Sequence, residues 1–214
     1  MTTAGEQQGP VHIDTLGDWR RTEYCGEVRA SDIGRELVLT GWVAGRRDHG
    51  GIIFIDLRDR TGIVQIVLDP DDSPVAHERA HALRSEFVIA VHGKLAARPE
   101  ETRNPALPTG EVELRVAEIR VLSVSRVLPF PLDDATEANE AVRLKHRYLD
   151  LRRPRLTSNL IARHRATTAI RNYLDAKGFV DVETPILTRS TPEGARDYLV
   201  PSRVSPGMVY ALPQ

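Results

Sequence analysis

The first half of the chain alternates in the way that β-strands do. In "IIFIDLR" (52–58), Ile53, Ile55 and Leu57 fall on one side, and Phe54, Asp56 and Arg58 on the other. A period of two gives the first set a core and leaves the second facing outward. Four more runs are rich in β-branched residues: "ELVLTGWV" (36–43), "GIVQIVL" (62–68), "EFVIAVHGKL" (86–95) and "GEVELRVAEIRVLSV" (110–124). Turn signals "DHGG" (48–51) and "DRTG" (59–62) bound the second strand. Between the third and fourth runs lies "SPVAHERAHALRS" (73–85). Ser73 is placed to cap it, Pro74 suits its first turn, and Val75, Ala76, Ala80 and Leu83 recur at helical spacing. Five strands with a helix between the third and fourth predict a Greek-key barrel of OB type over 21–125. An SH3-like barrel is the alternative, and the helix placement disfavours it.

The pattern changes after residue 125. "RVLPFPLDDATEANE" has two prolines and an acidic cluster, and 126–153 reads as a hinge or linker. "PRLTSNLIARHRATTAIRNYLDAKG" (154–178) predicts an amphipathic helix. Leu156, Leu160, Thr167, Ile170 and Leu174 lie on one side, and Gly178 is the stop. "FVDVETPIL" (179–187) predicts a strand, in which Pro185 cannot donate to a ladder and so belongs at an edge, a bulge or an interface. The start, "MTTAGEQQGP", has no basic head and no apolar stretch, so residues 1–20 read as a disordered leader rather than a signal peptide.

Composition narrows the classes. With 41% hydrophobic and 28% charged residues the chain is expected to be globular and soluble, and a net charge of −1 means that any nucleic-acid site is a local patch. The single cysteine, Cys25, excludes a disulfide framework and suits a reducing, cytoplasmic setting; it reads as a small buried hydrophobe. Seven scattered histidines show no ligand spacing, so no metal site is expected.

Two stretches suggest chemistry. Phe54, on an outward face near Arg46, Arg47 and Arg58, is what unstacked bases use, and Gln65 offers an amide within an apolar strand. An aromatic covered by a loop, with merely solvated arginines, fits the same residues. The run 142–165 carries eight Arg or Lys and one acid, Asp150; it could track phosphates or be a solvated helix face with ion pairs. Nearer the end, "STPEGARDYLVPSR" (190–203) combines Pro, Gly and four charges before a strand-like tail, as a mobile lid over a charged small molecule would.

Taken together, "RTEYCGEVR", "GWVAGRRDHGGIIFIDLRDRTGIVQIV", "RYLDLRRP", "GFVDVETPILT" and "TPEGARDYLVPSR…YALPQ" closely resemble the bacterial aspartyl-tRNA synthetases, from about Arg21 to Gln214. "RYLDLRRP" is shared with lysyl and asparaginyl relatives. The resemblance implies an anticodon-binding OB domain followed, over 154–214, by the start of a class II catalytic domain, an antiparallel sheet flanked by helices. "GFVDVETP" is similar to that class's first motif, at a homodimer interface, which gives Pro185 a role. Phe54 would stack on an anticodon base, with Arg47, Gln65, Arg98 and Glu113 at positions contacting anticodon bases or backbone. Thr188, Ser190, Thr191, Pro192, Glu193 and Gly194 resemble the loop that closes over the amino acid, with Glu193 meeting the α-ammonium of L-aspartate.

The implied reaction uses ATP and Mg²⁺ to make aspartyl-adenylate, then transfers the acyl group to tRNA-Asp. The phosphate-binding arginines of the class lie in later motifs. The chain therefore reads as an N-terminal fragment with no catalytic residue of its own, inactive alone. His49 after "RRD" resembles members that also charge tRNA-Asn, whereas Glu101 stands where those members have Gly. An asparaginyl-type relative and a free-standing OB-fold RNA-binding protein are the alternatives; the amino-acid lid argues against both.

Overall fold

The computed structural model describes residues 11–190 and 197–212. It forms two compact units that meet in sequence between Leu128 and Pro129.

In the first unit, β1 (Glu36–His49), β2 (Ile52–Arg58), β3 (Ile63–Leu68), β4 (Val88–Ala97) and β5 (Val112–Ser123) close in the order β1-β2-β3-β5-β4. The β3–β5 pair is parallel and the rest are antiparallel. Closure depends on β1 serving two partners. Residues 36–42 pair with β4 and residues 42–49 with β2, and a register shift between Val43 and Gly45 bends the strand between them. Gly50 and Gly51 join β1 to β2 with φ of 61° and 87°, the left-handed pair that a two-residue hairpin turn demands. The alternating apolar positions meet inside: Leu37, Leu39, Ile53, Ile55, Leu57, Ile66, Ile89 and Leu114 are fully buried. Helix α1 (Pro74–Ala80) closes one end. Ser73 Oγ accepts from the Ala76 N–H, and Ala76, Ala80 and Leu83 are buried, while Val75, one position off that face, is exposed.

Cys25 is sealed in this core, its Sγ 3.9 Å from the Thr40 carbonyl. Burial pushes its thiol well above the ordinary range, and the Asp59 charge adds to the effect. The native chain is therefore expected to leave Ellman's reagent untouched at pH 8 and to titrate one thiol after denaturation. Reaction at the rate of a free thiol would show that this part of the core opens.

The leader expectation fails from Val11 onward, where the chain is described. The Asp14 N–H donates to the Val121 carbonyl at 2.7 Å, its carboxylate accepts from the Val121 N–H at 2.7 Å, and Arg79 pairs with it. Arg120 donates to the Leu16 carbonyl at 2.7 Å and lies over the Trp19 ring at 4.0 Å. The cause is a backbone requirement: β5 leaves β3 after Arg115, so its later residues have N–H and C=O groups that need partners.

In the second unit, α2 (Glu140–Lys145), α3 (Arg147–Asp150) and α4 (Pro154–Asp175) follow one another, so the later part of the expected hinge is helical. Asn139 caps α2 by accepting from the Ala141 N–H. The fully buried Asp150 carboxylate joins the three. It accepts from Arg143 at 2.9 Å and Arg147 at 2.6 Å, with Arg153 at 3.9 Å. Arg153 also donates to the carbonyls of Asp133 and Thr136. Three of the eight cations in the basic run are thus tied to its one acid. Helix α4 ends as expected: Gly178 has φ 81°, and the Phe179 N–H donates back to the Leu174 carbonyl. No residue of α4 is buried among the described residues: on its expected apolar side Leu156 is half-buried, and Leu160, Ile170 and Leu174 are exposed.

The strand expected over 179–187 is absent. Phe179, Val180, Val182 and Ile186 are exposed, and this segment joins no ladder among the described residues. β-branched residues favour a strand only where a neighbour accepts the ladder, and Pro185 has no N–H to offer. Pairing resumes at Thr188, which exchanges hydrogen bonds with Ala211. Ala211 belongs to β7 (Val209–Leu212), antiparallel to β6 (Tyr198–Pro201).

Candidate nucleic-acid interface

The outward positions of β1, β2, β3 and β5 form a continuous polar row. Register fixes it: Arg47 stands opposite Phe54, Asp56 opposite Gln65, and Gln65 opposite Glu113. Arg47 donates to both oxygens of Asp56 at 2.9 Å and reaches Gln65 Oε1 at 3.4 Å. Gln65 Nε2 donates to Glu113 Oε2 at 2.9 Å. Arg98, just past β4, donates through Nε to the Val112 carbonyl at 3.0 Å. The structure thus brings all five expected RNA-contacting residues to one face.

They are not equally accessible. Arg47 is exposed and Phe54 half-buried, whereas Gln65, Arg98 and Glu113 are buried. Burial pushes the Glu113 carboxyl up, against the Gln65 hydrogen bond and the Arg98 charge. Burial likewise draws the Arg98 guanidinium down, while Glu113 and Asp56 oppose it. Arg98 Nη2 is buried with no hydrogen-bond partner. A buried guanidinium N–H without an acceptor is costly, and a base-edge or phosphate oxygen supplies one.

Other expectations change. Arg46 donates to the Ala80 carbonyl at 3.2 Å, and Arg58 grips Glu86 through two contacts of 2.7 and 2.8 Å. Of the three arginines expected around Phe54, only Arg47 belongs to the row. Asp56, which orients Arg47, was recognisable as outward-facing but not as its partner, because the β1 bulge sets which residues meet. His49 lies edge-on to Phe54, with ring centroids 6.3 Å apart. Glu101 lies in the short 3-10 turn Glu100–Thr102 between β4 and β5, exposed, and forms no hydrogen bond or ion pair with the row.

Of the expected amino-acid loop, Thr188 bridges to β7, and Ser190 Oγ donates to Asp197 Oδ2 at 3.0 Å. Thr191, Pro192, Glu193 and Gly194 lie outside the described residues. Pro185 is exposed in the unpaired segment. Among the described residues, no group of His, Cys, Asp and Glu is arranged to hold a metal ion. No described helix is long and apolar enough to cross a membrane.

Two family models match in series. "OB-fold nucleic acid binding domain" covers residues 37–122, and "tRNA synthetases class II (D, K and N)" covers residues 139–214. The chain is 60% identical over 202 residues to the aspartate–tRNA(Asp/Asn) ligase of Syntrophotalea carbinolica, covering 94% of this chain and 34% of that protein. It is 59% identical over 209 residues to the enzyme of the same name from Oleidesulfovibrio alaskensis, covering 98% and 34%. The chain therefore spans about a third of the length of the curated relatives it matches. Among solved structures it resembles asparaginyl-tRNA synthetase from Pyrococcus horikoshii complexed with asparaginyl-adenylate. The TM-score is 0.77 at 27% identity, over 91% of this chain and 43% of that one. An OB barrel carrying a polar row around Phe54 is thus followed by a class II tRNA-synthetase segment, and over nearly its whole length the chain is similar to about a third of the length of the bacterial aspartate–tRNA(Asp/Asn) ligases.

Proposed function

We propose that this chain supplies anticodon recognition and part of the amino-acid site to an aspartate–tRNA ligase. Such an enzyme activates L-aspartate with ATP and Mg²⁺ and charges tRNA-Asp. Charging of tRNA-Asn as well is the finer reading, supported by the relatives' shared name and by His49 beside Phe54. The observation that carries the proposal is the row itself. A half-buried aromatic borders a hydrogen-bonded chain of guanidinium, amide and carboxylate across adjacent strands. Phe54 offers a face for one base. Gln65 and Glu113 present an amide and a carboxylate for base edges, and Arg98 contributes an unpartnered N–H.

On this reading Glu193 meets the α-ammonium of aspartate, the loop from Thr188 to Gly194 closes over it, and the apolar side of α4 with the Pro185 segment joins a second copy. Among the described residues no group of three or more His, Cys, Asp or Glu is arranged to hold a metal ion, and Arg143, Arg147 and Arg153 are engaged with Asp150. No phosphate step is assigned to them.

The test is titration of the chain with anticodon hairpins carrying GUC, GUU and an unrelated triplet at one salt concentration. GUC and GUU are expected to bind more tightly than the control. Phe54→Ala is expected to weaken GUC binding by about 5- to 150-fold, the equivalent of roughly 1–3 kcal/mol of stacking, while leaving the fold intact. Equal affinity for all three triplets would refute anticodon recognition, and binding of GUC alone would remove the tRNA-Asn part.

A further inference from the structure

A second cationic cluster lies at the other end of β2, outside the row. Tyr24 is held between two guanidiniums: Arg21 Cζ is 4.7 Å from its ring centroid and Arg60 Cζ 4.4 Å. The backbone fixes the cluster. The Thr22 N–H donates to the Val38 carbonyl at 3.0 Å, on the stretch of β1 that β2 does not reach. The Cys25 N–H donates to Asp59 Oδ2 at 2.7 Å, and the Gly26 N–H to Thr61 Oγ1 at 2.9 Å. Segment 21–26 is thereby locked against the turn that carries Arg60.

Neither guanidinium of this cluster has a carboxylate in direct contact among the described residues. Arg21 donates from Nε to Thr40 Oγ1 at 2.8 Å, and its Nη2 contacts the same residue. Arg60 packs on Tyr24 and is exposed. Among the described residues neither guanidinium forms an ion pair. Asp59 accepts from Cys25 and Thr61, and both it and Glu27 act on Arg60 through space without a contact to its guanidinium. Other arginines of the barrel do have carboxylate partners, including Arg35, Arg58, Arg79 and Arg115. The two guanidiniums also pull the Tyr24 phenol below its usual range, Arg60 foremost.

We propose that Arg21, Tyr24 and Arg60 form a binding point for backbone phosphate of the RNA whose anticodon meets Phe54. The inference rests on the tRNA reading above. Arg58, next to the turn, is four residues from Phe54 along β2, or about 13 Å. That distance is within a few nucleotides of one strand, so a base on Phe54 and a phosphate at the cluster can belong to the same RNA. The tyrosine ring fixes two cations that would otherwise sweep through solvent, so less side-chain freedom is lost on binding. Such a contact adds affinity without sequence preference.

The experiment measures hairpin affinity against salt for the wild type, Arg60→Gln and Arg60→Lys, with GUC and control triplets. Arg60 is the chosen position because it is exposed and makes no backbone hydrogen bond. Arg60→Gln is expected to weaken both hairpins equally and to lower the salt slope by about 1, with the melting temperature unchanged. Arg60→Lys should keep most of the slope. If Arg60→Gln leaves slope and affinity unchanged while triplet preference persists, the phosphate point is wrong and the anticodon reading stands. If the slope falls but no triplet is preferred, the anticodon reading fails and the phosphate point stands. If the wild type binds neither hairpin, both are wrong.

Discussion

Gly93→Ala is expected to cost the barrel about 3 kcal/mol, near the upper range for overpacking. Gly93 lies in β4 between Leu37 of β1 and Val116 of β5, beside the register shift that sets His92 against Glu118. A Cβ there would lie 2.0 Å from the Arg115 carbonyl oxygen, 2.8 Å from its carbon and 2.9 Å from Val116 Cα. All three are backbone atoms, so no side-chain rotation relieves the clash, and the β4–β5 ladder has to open. Both tryptophans, Trp19 and Trp42, belong to the barrel unit, so fluorescence during urea unfolding reports on it alone. Lys94→Ala, at the exposed neighbouring position, should stay within about 0.5 kcal/mol of the wild type. Equal midpoints for the two variants would show that the backbone moves aside at Gly93.

The second large effect belongs to the other unit. Asp150→Asn leaves Arg143, Arg147 and Arg153 facing one another without their anion, and should destabilise the α2–α4 junction by about 3 kcal/mol. The helical signal at 222 nm should fall at lower urea, with tryptophan fluorescence unaffected. A pH limb accompanies it. The hydrogen bond from Arg143, followed by the charges of Arg143 and Arg147, holds the Asp150 carboxyl below its usual range, against the cost of burial. A carboxyl lowered by folding stabilises fully above its unfolded value of about 3.9, and that contribution is lost as pH falls through the lower folded value. The wild type should therefore lose this stability below about pH 4, and Asp150→Asn should lack that component of the acid limb. An identical acid limb in both proteins would mean that Asp150 does not titrate against its arginines.

The barrel was legible because a period of two and the Gly50–Gly51 turn are local signals, and both decide which face of β2 is buried. Phe54 could be singled out for the same reason. What Arg47 holds could not, because its partner Asp56 depends on the extra residue in β1, a property of two strands in register. Asp14 was missed because its surroundings read as leader, and its use is set by β5 groups more than a hundred residues later. The opposite error occurred at 179–187. Strand-forming residues were plain in the sequence, but a strand requires a neighbour, and none of the described residues provides one.

The strap at Asp14 also bears on how copies of this chain avoid one another. Beyond Arg115, β5 runs alongside β4 on one side only, and the strap occupies hydrogen-bonding groups of Val121 on that strand. Ser73 caps the Ala117 carbonyl farther back, but without the strap the Val121 groups would be a bare edge onto which a strand from another molecule could add. Removal of Asp14 is therefore expected to favour edge-to-edge association, a colloidal consequence of a stretch whose composition suggested none.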